Sequence, residues 1–335
     1  MGASCLGLGG IWGLGRQGVF DQTDGDCRSD GWVIFEDMFE FLKRSLRDKS
    51  MTRIELDPPT PLTGRAGIAL VLIVRNEERH IAEWARFHVL AGVRHFYVYD
   101  NGCTDGTLAQ LAFLNDALTV IPWNQKLRVG GQEIHNQVLA YAHATRNFGG
   151  LWRWMSYLDA DEFLVPKGDG LDEALAGLEG CHCISLPWHM FGRSGHMVAP
   201  EGGVLANYTR RNSDPMSKDQ GLKNFKMIVD PAHVTAIRVH SVETDGSTDT
   251  CNDRGQRFTS RGRKAQAFYS ADRVQLNHYY TRSDVELQAK IARGPNMTTP
   301  DVDHLRRVLR KVAAIEAGEV EDRTALDFLA RKAGT

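Results

Sequence analysis

The stretch WMSYLDADEFLVP, residues 154–166, decides which fold the sequence predicts. An apolar and aromatic run ends in DADE, residues 159–162, and a second apolar run follows at 163–165. This pattern is typical of a buried strand that delivers acidic groups to its carboxyl end. Because residues two apart in a strand face the same side, Asp159 and Asp161 can direct their carboxylates at one point.

The spacing of these two aspartates suggests a metal site. Two converging carboxylates repel each other unless a cation lies between them, and hard oxygen ligands favour Mg²⁺ or Mn²⁺. An isolated Asp-x-Asp is also typical of an acidic turn at the surface. The surrounding sequence therefore has to decide between the two interpretations.

Composition limits the class of protein. The 335 residues carry a net charge of −2, and 42% of them are hydrophobic. A near-neutral balance without a block of Lys or Arg argues against a nucleic-acid-binding protein. No apolar run approaches the roughly 18 to 20 residues needed to cross a bilayer, so we expect no transmembrane segment and leave peripheral membrane contact open.

Cysteine usage suggests a compartment. The chain has six cysteines: Cys5, Cys27, Cys103, Cys181, Cys183 and Cys251. They lack the spacing of a disulfide framework, which a chain of this size does not need, so we predict a reducing compartment and a cytoplasmic protein. Zinc binding by Cys181, His182 and Cys183 with His189 and His196 is not favoured, because tetrahedral sites usually have two to four residues between cysteines.

The sequence pattern divides the chain into four parts. Residues 1–31 have no period that would bury a face, so we expect a disordered arm, and it is open whether this arm belongs to the native protein. Residues 32–65 combine an amphipathic helix of balanced charge with a proline-rich linker. The main domain is expected at 66–295, followed by C-terminal helices at 296–335.

Two further strands are predicted before the acidic stretch. Residues 68–74, IALVLIV, suit a strand buried on both faces, and residues 94–99 form the next one. A polar turn and a helix follow each strand, which predicts a parallel sheet with crossover helices. Because parallel strands end at the same edge, the turns at 75–77 and 100–101 are expected near residues 159–162. This context favours the metal interpretation.

Six motifs occur in a specific order. They are LIVRNE (72–77), YDNGCTDGT (99–107), YLDADEFLVP (157–166), WHMFGRSG (188–195), NFK (224–226) and HYYTRS (278–283). Together they resemble the family 2-like glycosyltransferases of GT-A fold, in the branch with an Asp-x-Asp-Glu-Phe motif, over residues 66–295. The resemblance implies an α/β fold of the nucleotide-diphospho-sugar transferase type, with a Rossmann-like mixed sheet flanked by helices.

The resemblance also implies a nucleotide pocket. Arg75, Asn76 and Glu77 would line it, and Glu77 would contact the ribose or the base. Asp100 and Asn101 stand where the family commonly has an acidic pair that contacts the base. The amide at the second position leaves the identity of that base open, since an amide both donates and accepts hydrogen bonds.

The metal motif of the family matches Asp159 and Asp161. They are expected to hold Mn²⁺ or Mg²⁺, one directly and the other through water or the donor sugar, so that the cation neutralises the departing diphosphate. GT-A enzymes often take a third ligand from a late histidine, which makes His278 the first candidate and His240 the second. A purely structural histidine is the alternative.

Basic and aromatic residues of the second half are candidates for the two substrates. Lys226 and Arg282, with Lys290 close behind, are candidates to hold the diphosphate. An acceptor pocket would have an aromatic wall and a flexible loop, built from Trp188, Phe191 and Gly192. The alternative for these three residues is a hydrophobic plug under a turn.

In-line attack with inversion requires a general base near the acceptor hydroxyl. Glu162 and Asp161 are the first catalytic candidates because they belong to the acidic stretch. Successive strand residues point to opposite faces, so Glu162 could instead support the sheet from below. Glu243, Asp214 and Asp219 are alternatives.

We therefore predict a metal-dependent glycosyltransferase of hexosyltransferase type. It would move a sugar from a nucleotide diphosphate donor, expected to be uridine-linked, to a hydroxyl of a glycan or other acceptor, as in polysaccharide biosynthesis. A nucleotidyltransferase of related fold is an alternative, but residues 75–80 lack the glycine-rich loop it needs. A non-catalytic carbohydrate-binding protein with a decayed fold is a second alternative, disfavoured because both aspartates are present.

Overall fold

The computed structural model describes residues 50–219, 221–292 and 302–334, without the side chains of 302–304. Its strands, in chain order, are β1 (Ile54–Glu55), β2 (Ile68–Val74), β3 (Val93–Asp100), β4 (Leu118–Pro122), β5 (Arg128–Val129), β6 (Gln132–Glu133), β7 (Trp154–Leu158), β8 (Glu162–Pro166), β9 (Cys183–Met190), β10 (Arg210–Asn212), β11 (Phe225–Val229), β12 (Val234–Arg238), β13 (Ser241–Thr244), β14 (Thr250–Cys251), β15 (Arg257–Phe258), β16 (Val274–His278) and β17 (Glu319–Glu321).

Helices flank these strands. The α-helices are α1 (Glu78–Leu90), α2 (Asn136–Phe148), α3 (Leu171–Leu175), α4 (Val204–Asn207), α5 (Asp284–Ala292), α6 (Val302–Glu316) and α7 (Thr324–Ala333). Short 3₁₀ segments lie at Ala109–Ala117, Gly149–Leu151, Pro231–His233, Gly262–Lys264 and Gln266–Phe268. None of the described helices combines the length and the apolar character that a membrane crossing requires.

A mixed central sheet organises the described part of the chain. Its strand order is β15-β14-β9-β11-β7-β2-β3-β4, and β16 joins β9 to β8. Strands β7, β2, β3 and β4 are mutually parallel, whereas β11 runs antiparallel to both of its neighbours. The prediction of a mixed α/β sheet flanked by helices is therefore confirmed.

Strand β2 shows why the sheet is covered on both faces. Its side chains alternate between two apolar layers, with Leu70 and Leu72 in one and Val71 in the other. Helix α1 contributes Trp84 to the first layer, and helix α2 contributes Tyr141 to the second. Burial on both faces requires the continuous apolar run that the sequence shows.

The acidic stretch forms two strands instead of one. Strand β7 ends at Leu158, a turn at 159–161 is closed by a 3.0 Å hydrogen bond from Glu162 N to Asp159 O, and β8 begins at Glu162. Strand β8 pairs with β16 and not with β2. The two aspartates therefore belong to a turn, where the strand rule of alternating faces does not apply.

Strands on both sides of the predicted main domain, 66–295, pair with strands inside it. Strand β1 pairs with β12, although the sequence predicted a linker here, since prolines at 58–61 prevent a helix but not an extended chain. At the other end β17 pairs with β10. The predicted arm at 1–31 and helix at 32–48 lie outside the described residues.

A disulfide joins Cys181 to Cys251, although the sequence analysis expected none. The two cysteines are separated by 70 residues in the chain, and their Cα atoms lie 6.0 Å apart. Strand β14 pairs with β9 so that Cys251 lies opposite Ile184, close to Cys181. Long-range strand pairing of this kind is not visible in cysteine spacing.

Candidate active site

The parallel strands bring three polar segments to one edge of the sheet. Strands β2, β3 and β7 end at Val74, Asp100 and Leu158, and each is followed by polar residues. A hydrogen bond of 2.9 Å from Asn101 N to Val74 O links the first two strand ends. The convergence expected from a parallel sheet is therefore observed, and the acidic turn lies at this edge.

Asp159 is held by groups from two other elements. Its Oδ2 lies 3.1 Å from Lys226 Nζ on β11, and Gln137 Nε2 on α2 donates a 2.6 Å hydrogen bond to its Oδ1. Burial opposes ionisation, but the Lys226 ammonium outweighs it and lowers the pKa of Asp159. Asp159 is thus ionised and oriented by an ammonium ion and an amide.

Asp161 lies between a lysine and a histidine. Its Oδ2 accepts a 2.9 Å hydrogen bond from Lys290 Nζ, and its Oδ1 lies 3.4 Å from His278 Nε2. Burial alone would raise the pKa of Asp161, but Lys290 and His278 hold it well below its usual range. Asp161 is therefore a carboxylate at all physiological pH values.

His278 lies beneath this carboxylate. Its ring contacts Trp188 at 4.4 Å between centroids, and burial lowers its pKa, so the imidazole is neutral. Its Nδ1 is buried and has no hydrogen-bond partner among the described residues. His240, the second candidate ligand, is also neutral, because burial lowers its pKa to about 3.

Glu162 is fully buried beneath the turn. Its Oε1 accepts a 2.7 Å hydrogen bond from Trp188 Nε1, and its Oε2 accepts one of 2.8 Å from Asp159 N. Lys226 Nζ lies 3.3 Å from the same Oε2. Burial raises the pKa of Glu162 to about 8, against the lowering effect of Lys226. A carboxyl group in this position supports the turn from below, so the structure does not place Glu162 where an acceptor could contact it.

A cavity of about 580 Å³ opens beside Asp161. Its wall is made by residues of four segments: Asn76, Glu77, Glu78, Arg79, His80, Asp105, Asp161, Tyr280, Thr281, Arg282, Glu286, Ala289 and Lys290. Arg282 donates a 3.2 Å hydrogen bond from Nη1 to Glu77 Oε2, and its buried Nε has no partner among the described residues. The cavity therefore combines an acidic wall with three cationic groups, Arg79, Arg282 and Lys290.

Four of the residues predicted to bind the nucleotide have different surroundings in the structure. Asn76 adopts a left-handed backbone conformation with φ of 55°, and its Oδ1 accepts a 2.8 Å hydrogen bond from Thr104 N. Asp100 Oδ1 accepts one of 2.8 Å from Cys103 N, and Asn101 Oδ1 accepts one of 3.1 Å from Asn136. Asp100 and Asn101 therefore brace the turns behind the cavity, and Arg75 is exposed.

The predicted acceptor residues belong to the packed interior. Trp188 and Phe191 are 5% and 1% exposed, and Phe191 stacks on Tyr279 at 4.5 Å between ring centroids. A Cβ atom at Gly192 would approach Glu319 Oε1 to 2.5 Å, so a larger residue there would have to displace the Glu319 carboxylate. The alternative interpretation, a hydrophobic plug, is the one that the structure supports.

Two other predicted residues lie away from the cavity wall. Glu243, a candidate base, accepts hydrogen bonds of 2.8 and 2.6 Å from Arg53, so it joins β13 to the segment before β1. Lys226, a candidate for the diphosphate, is fully buried under the turn. Both residues are ion-paired within the fold, which sequence position alone did not reveal.

Several residues around the site were missed by sequence reasoning. Gln137 orients Asp159, and His80 Nε2 lies 2.6 Å from Glu286 Oε1 in the cavity wall. Lys311 on α6 places its ammonium 4.0 Å from the Tyr280 ring centroid. Glu286 has one local sequence signal, because residues 283–286 (SDVE) have the Ser-x-x-Glu pattern of a capping box at the start of a helix. Ser283 N donates the corresponding 3.1 Å hydrogen bond to Glu286 Oε2.

The donor atoms near the turn fit a divalent cation in part. Asp161 and His278 offer a carboxylate oxygen and an imidazole nitrogen, which suit Mn²⁺. Asp159 does not join Asp161 and His278 as a third ligand. Among the described residues, its carboxylate oxygens do not lie within 4.8 Å of the donor atoms of both other side chains. Its carboxylate faces Lys226 and Gln137 instead. Two of the three predicted ligands therefore converge.

Comparison with known proteins identifies the family of this mixed-sheet protein with an acidic turn beside a polar cavity. Residues 73–312 match the model of glycosyltransferase family 92, which is more than half of the 335-residue chain. The chain therefore belongs to glycosyltransferase family 92. The glycosyltransferase prediction is confirmed, whereas the placement near family 2 is not.

Curated relatives agree with this family. A glycosyltransferase family 92 protein of Ricinus communis is 27% identical over 198 residues, which cover 56% of this chain and 33% of the relative. One of Oryza sativa subsp. japonica is 27% identical over 152 residues, covering 43% of this chain and 24% of the relative. The matched region thus spans a third or less of the length of these two relatives.

Solved structures show only a distant similarity. TarS of S. aureus, residues 1–349 in complex with UDP-GlcNAc, aligns with 16% identity and a TM-score of 0.30 over 50% of this chain and 46% of that one. The mannosyltransferase PcManGT of Pyrobaculum calidifontis, in complex with GDP-Man and Mn²⁺, aligns with 19% identity and a TM-score of 0.27 over 47% and 44%. At these scores neither structure supports a conclusion about the donor or the metal.

Proposed function

We propose that this chain transfers a sugar from a nucleotide diphosphate donor to a hydroxyl group of a glycan or related acceptor. The observation that carries the proposal is the position of Asp161 in the wall of the 580 Å³ cavity, beside the ammonium of Lys290. Family membership supports sugar transfer, and the polar cavity is large enough for a nucleotide sugar.

The cavity wall suggests how the donor binds. Lys290 and Arg282 are the cations that can accept the diphosphate, and the planar guanidinium suits two phosphate oxygens at once. Glu77 and Asn76 lie beside them and can accept or donate hydrogen bonds at the ribose. We propose a uridine-linked donor, as the sequence resemblance implied.

Asp161 and His278 are the residues that would hold Mn²⁺ or Mg²⁺. A divalent cation there supplies Lewis-acid stabilisation of the departing diphosphate. Asp161 remains ionised because Lys290 and His278 lower its pKa, and the low pKa of His278 leaves its imidazole free to act as a ligand. Lys226, Gln137 and Glu162 hold the turn that presents Asp161.

Inversion at the anomeric carbon requires a base on the acceptor side. Glu162 is buried and Glu243 is paired with Arg53, so we assign this role to a carboxylate of the cavity wall instead. Glu286 is disfavoured there, because hydrogen bonds from His80, Ser283 and Tyr208 hold its pKa low and make it a weak base. Glu77 and Glu78 are the wall carboxylates that remain as candidates. No specific observation favours nucleotidyl transfer or a non-catalytic role.

The test is a panel of UDP- and GDP-sugars with purified protein. Release of the nucleoside diphosphate is measured with Mn²⁺, with Mg²⁺ and with EDTA, in the presence and absence of a mixture of oligosaccharide acceptors. We expect turnover with one class of donor, stimulation by acceptor and loss of turnover in EDTA. Turnover that is equal with and without EDTA would refute the metal requirement, and no turnover with any donor would refute the proposed function.

A further inference from the structure

A cluster of two histidines and one aspartate lies outside the candidate active site. His182 Nδ1 lies 2.7 Å from Asp245 Oδ2, and His233 Nδ1 lies 2.9 Å from Asp245 Oδ1. The two imidazole rings stack with centroids 3.5 Å apart and planes inclined by 16°. In the described part of the chain, this is the group of three side chains whose potential metal ligands all lie within 4.8 Å of one another.

The cluster is separate from the acidic turn. His182 directly precedes β9, whereas Trp188, near the other end of that strand, contacts Glu162 and His278. Six residues of extended chain span about 20 Å. A ligand of the cluster therefore cannot also bind at Asp161.

Backbone contacts hold the three side chains in place. Asp230 N donates a 2.9 Å hydrogen bond to His182 O, His233 N donates one of 3.1 Å to Asp230 O, and Asp245 N donates one of 2.9 Å to His233 O. The neighbouring Cys181 is fixed by its disulfide to Cys251. The cluster is therefore prearranged by the fold, and little ordering remains for a ligand to induce.

Asp245 adopts an uncommon backbone conformation. Its φ of 52° lies in the left-handed region, which is unfavourable for residues other than Gly, Asn and Asp. This conformation directs the carboxylate to both imidazoles at once. Its side chain is 57% exposed, and those of His182 and His233 are 30% and 34% exposed, so solvent and ions reach all three groups.

The chemistry of the cluster favours a transition-metal ion. Both Nδ1 atoms face the same carboxylate. Imidazole nitrogen suits Zn²⁺, whereas Mg²⁺ and Ca²⁺ prefer oxygen ligands. Asp230 Oδ2 lies 3.9 Å from His233 Nε2 and can orient the ring from behind.

We propose that His182, His233 and Asp245 form a Zn²⁺ site, with a fourth position left for water. Ligand distances of about 2.0 to 2.2 Å require the three donor atoms to lie roughly 3.3 Å apart. The two stacked rings must also turn out of their nearly parallel arrangement so that both Nδ1 atoms point to one ion. The site joins the start of β9, the 3₁₀ segment Pro231–His233 and the turn after β13. Zinc binding therefore stabilises the fold at the sheet edge away from the cavity.

The test is a zinc titration of the full chain. The protein is stripped with EDTA, dialysed, and titrated at pH 7.5 with Zn²⁺ in competition with a chromogenic chelator, and the melting temperature is recorded in parallel. The wild type is compared with His233→Ala and with Asp245→Asn, which tolerates the left-handed conformation. Asp161→Asn reports on the candidate active site, and His196→Ala is a matched histidine control.

We expect the wild type and His196→Ala to bind one more equivalent of Zn²⁺ than His233→Ala and Asp245→Asn. The zinc-induced rise in melting temperature should be lost in the same two variants, whose folding is checked by circular dichroism. Replacing Zn²⁺ with Mg²⁺ should give no rise at this site. Equal zinc stoichiometry and affinity in the wild type, His233→Ala and Asp245→Asn would refute the site and show a hydrogen-bonded triad only.

Discussion

Lys226 places its ammonium nitrogen 3.1 Å from Asp159 Oδ2 although the lysine side chain is completely buried. Burial lowers the pKa of a lysine, but the charges of Asp159 and Glu162 outweigh it and hold the pKa of Lys226 well above its usual range. A buried ammonium with two carboxylate partners acts as an internal counter-ion for the turn. Lys226 therefore offsets the negative charge of Asp159 beneath the turn.

Replacing Lys226 should destabilise the protein strongly. Lys226→Met leaves the Asp159 carboxylate without its counter-ion and the fully buried Glu162 without a polar partner, and we expect the free energy of unfolding to fall by about 3 to 5 kcal/mol. Urea denaturation followed by circular dichroism measures this change. The exposed Lys218→Met serves as the control and should change stability by less than about 0.5 kcal/mol. Adding Glu162→Gln to Lys226→Met should recover part of the loss, and purely additive effects would contradict the pairing.

Asp161→Asn should abolish transfer without unfolding the protein. The substitution removes the negative charge between Lys290 and His278, which we propose holds the cation that stabilises the departing diphosphate. Loss of several kcal/mol of transition-state stabilisation corresponds to at least about a hundredfold lower kcat. Donor turnover with Mn²⁺ measures it, and the exposed Asp169→Asn is the matched control. Wild-type turnover in Asp161→Asn would exclude this aspartate from the site.

Substitutions of Arg282 test whether the cavity beside Asp161 binds the donor. Its side chain faces Glu77, and its backbone is left-handed with φ of 53°. Removing a charge-assisted contact to the diphosphate costs about 1.5 to 3 kcal/mol, so the KM for the donor should rise about 10- to 100-fold in Arg282→Ala and in Arg282→Gly. Glycine accepts the left-handed conformation, so Arg282→Gly should be the more stable of the two. Unchanged KM in both variants would place the diphosphate elsewhere.

Lys311 should make donor binding sensitive to alkaline pH. Burial lowers its pKa from 10.5 to about 8, so its positive charge is present below pH 8 and lost above it. Because a cation attracts the diphosphate, the donor Kd should rise between pH 7 and pH 9. Calorimetric titration at both values measures this, and Lys311→Met should have the weaker pH dependence. Glu162 also has a pKa of about 8 and could cause a similar pH dependence. The variant Glu162→Gln removes this group, so it should retain the rise in donor Kd that is caused by Lys311.

The disulfide can be tested directly against the expectation of a reducing compartment. Peptides containing Cys181 and Cys251 should be recovered as a linked pair by mass spectrometry without reductant, and as separate peptides with it. Closing a loop of 70 residues stabilises the fold by about 4 kcal/mol, so Cys181→Ser should lower the melting temperature. Disulfides persist in oxidising compartments, and a linked pair in protein isolated from its native source would contradict a cytoplasmic location.

Local sequence signals predicted the sheet and its active edge. The apolar run of β2 required burial on both faces, and the alternation of strand, polar turn and helix required parallel strands, which end together. The capping box at Ser283 and Glu286 likewise depended on residues three positions apart. These features follow from the sequence because their physical causes act over a few residues.

Contacts between distant segments decided the chemistry of the individual side chains. Glu162 follows the acidic turn in the chain, but the pairing of β8 with β16 buries it, so it supports the turn instead of facing an acceptor. Lys226 and Glu243 have ordinary sequence surroundings, and only the tertiary structure shows that they are ion-paired within the fold. Burial and pairing depend on the whole packing arrangement, which a local pattern does not contain.

The cluster of His182, His233 and Asp245 shows most clearly that residues close in the sequence are not the ones that the fold brings together. The sequence analysis considered zinc at His182 with its neighbouring cysteines, because those residues are adjacent in the chain. The structure joins His182 instead to residues 51 and 63 positions later. The sequence determined which donor groups exist and which strands run parallel, and the tertiary structure decided which donors meet, because strand pairing brings together side chains from distant parts of the chain.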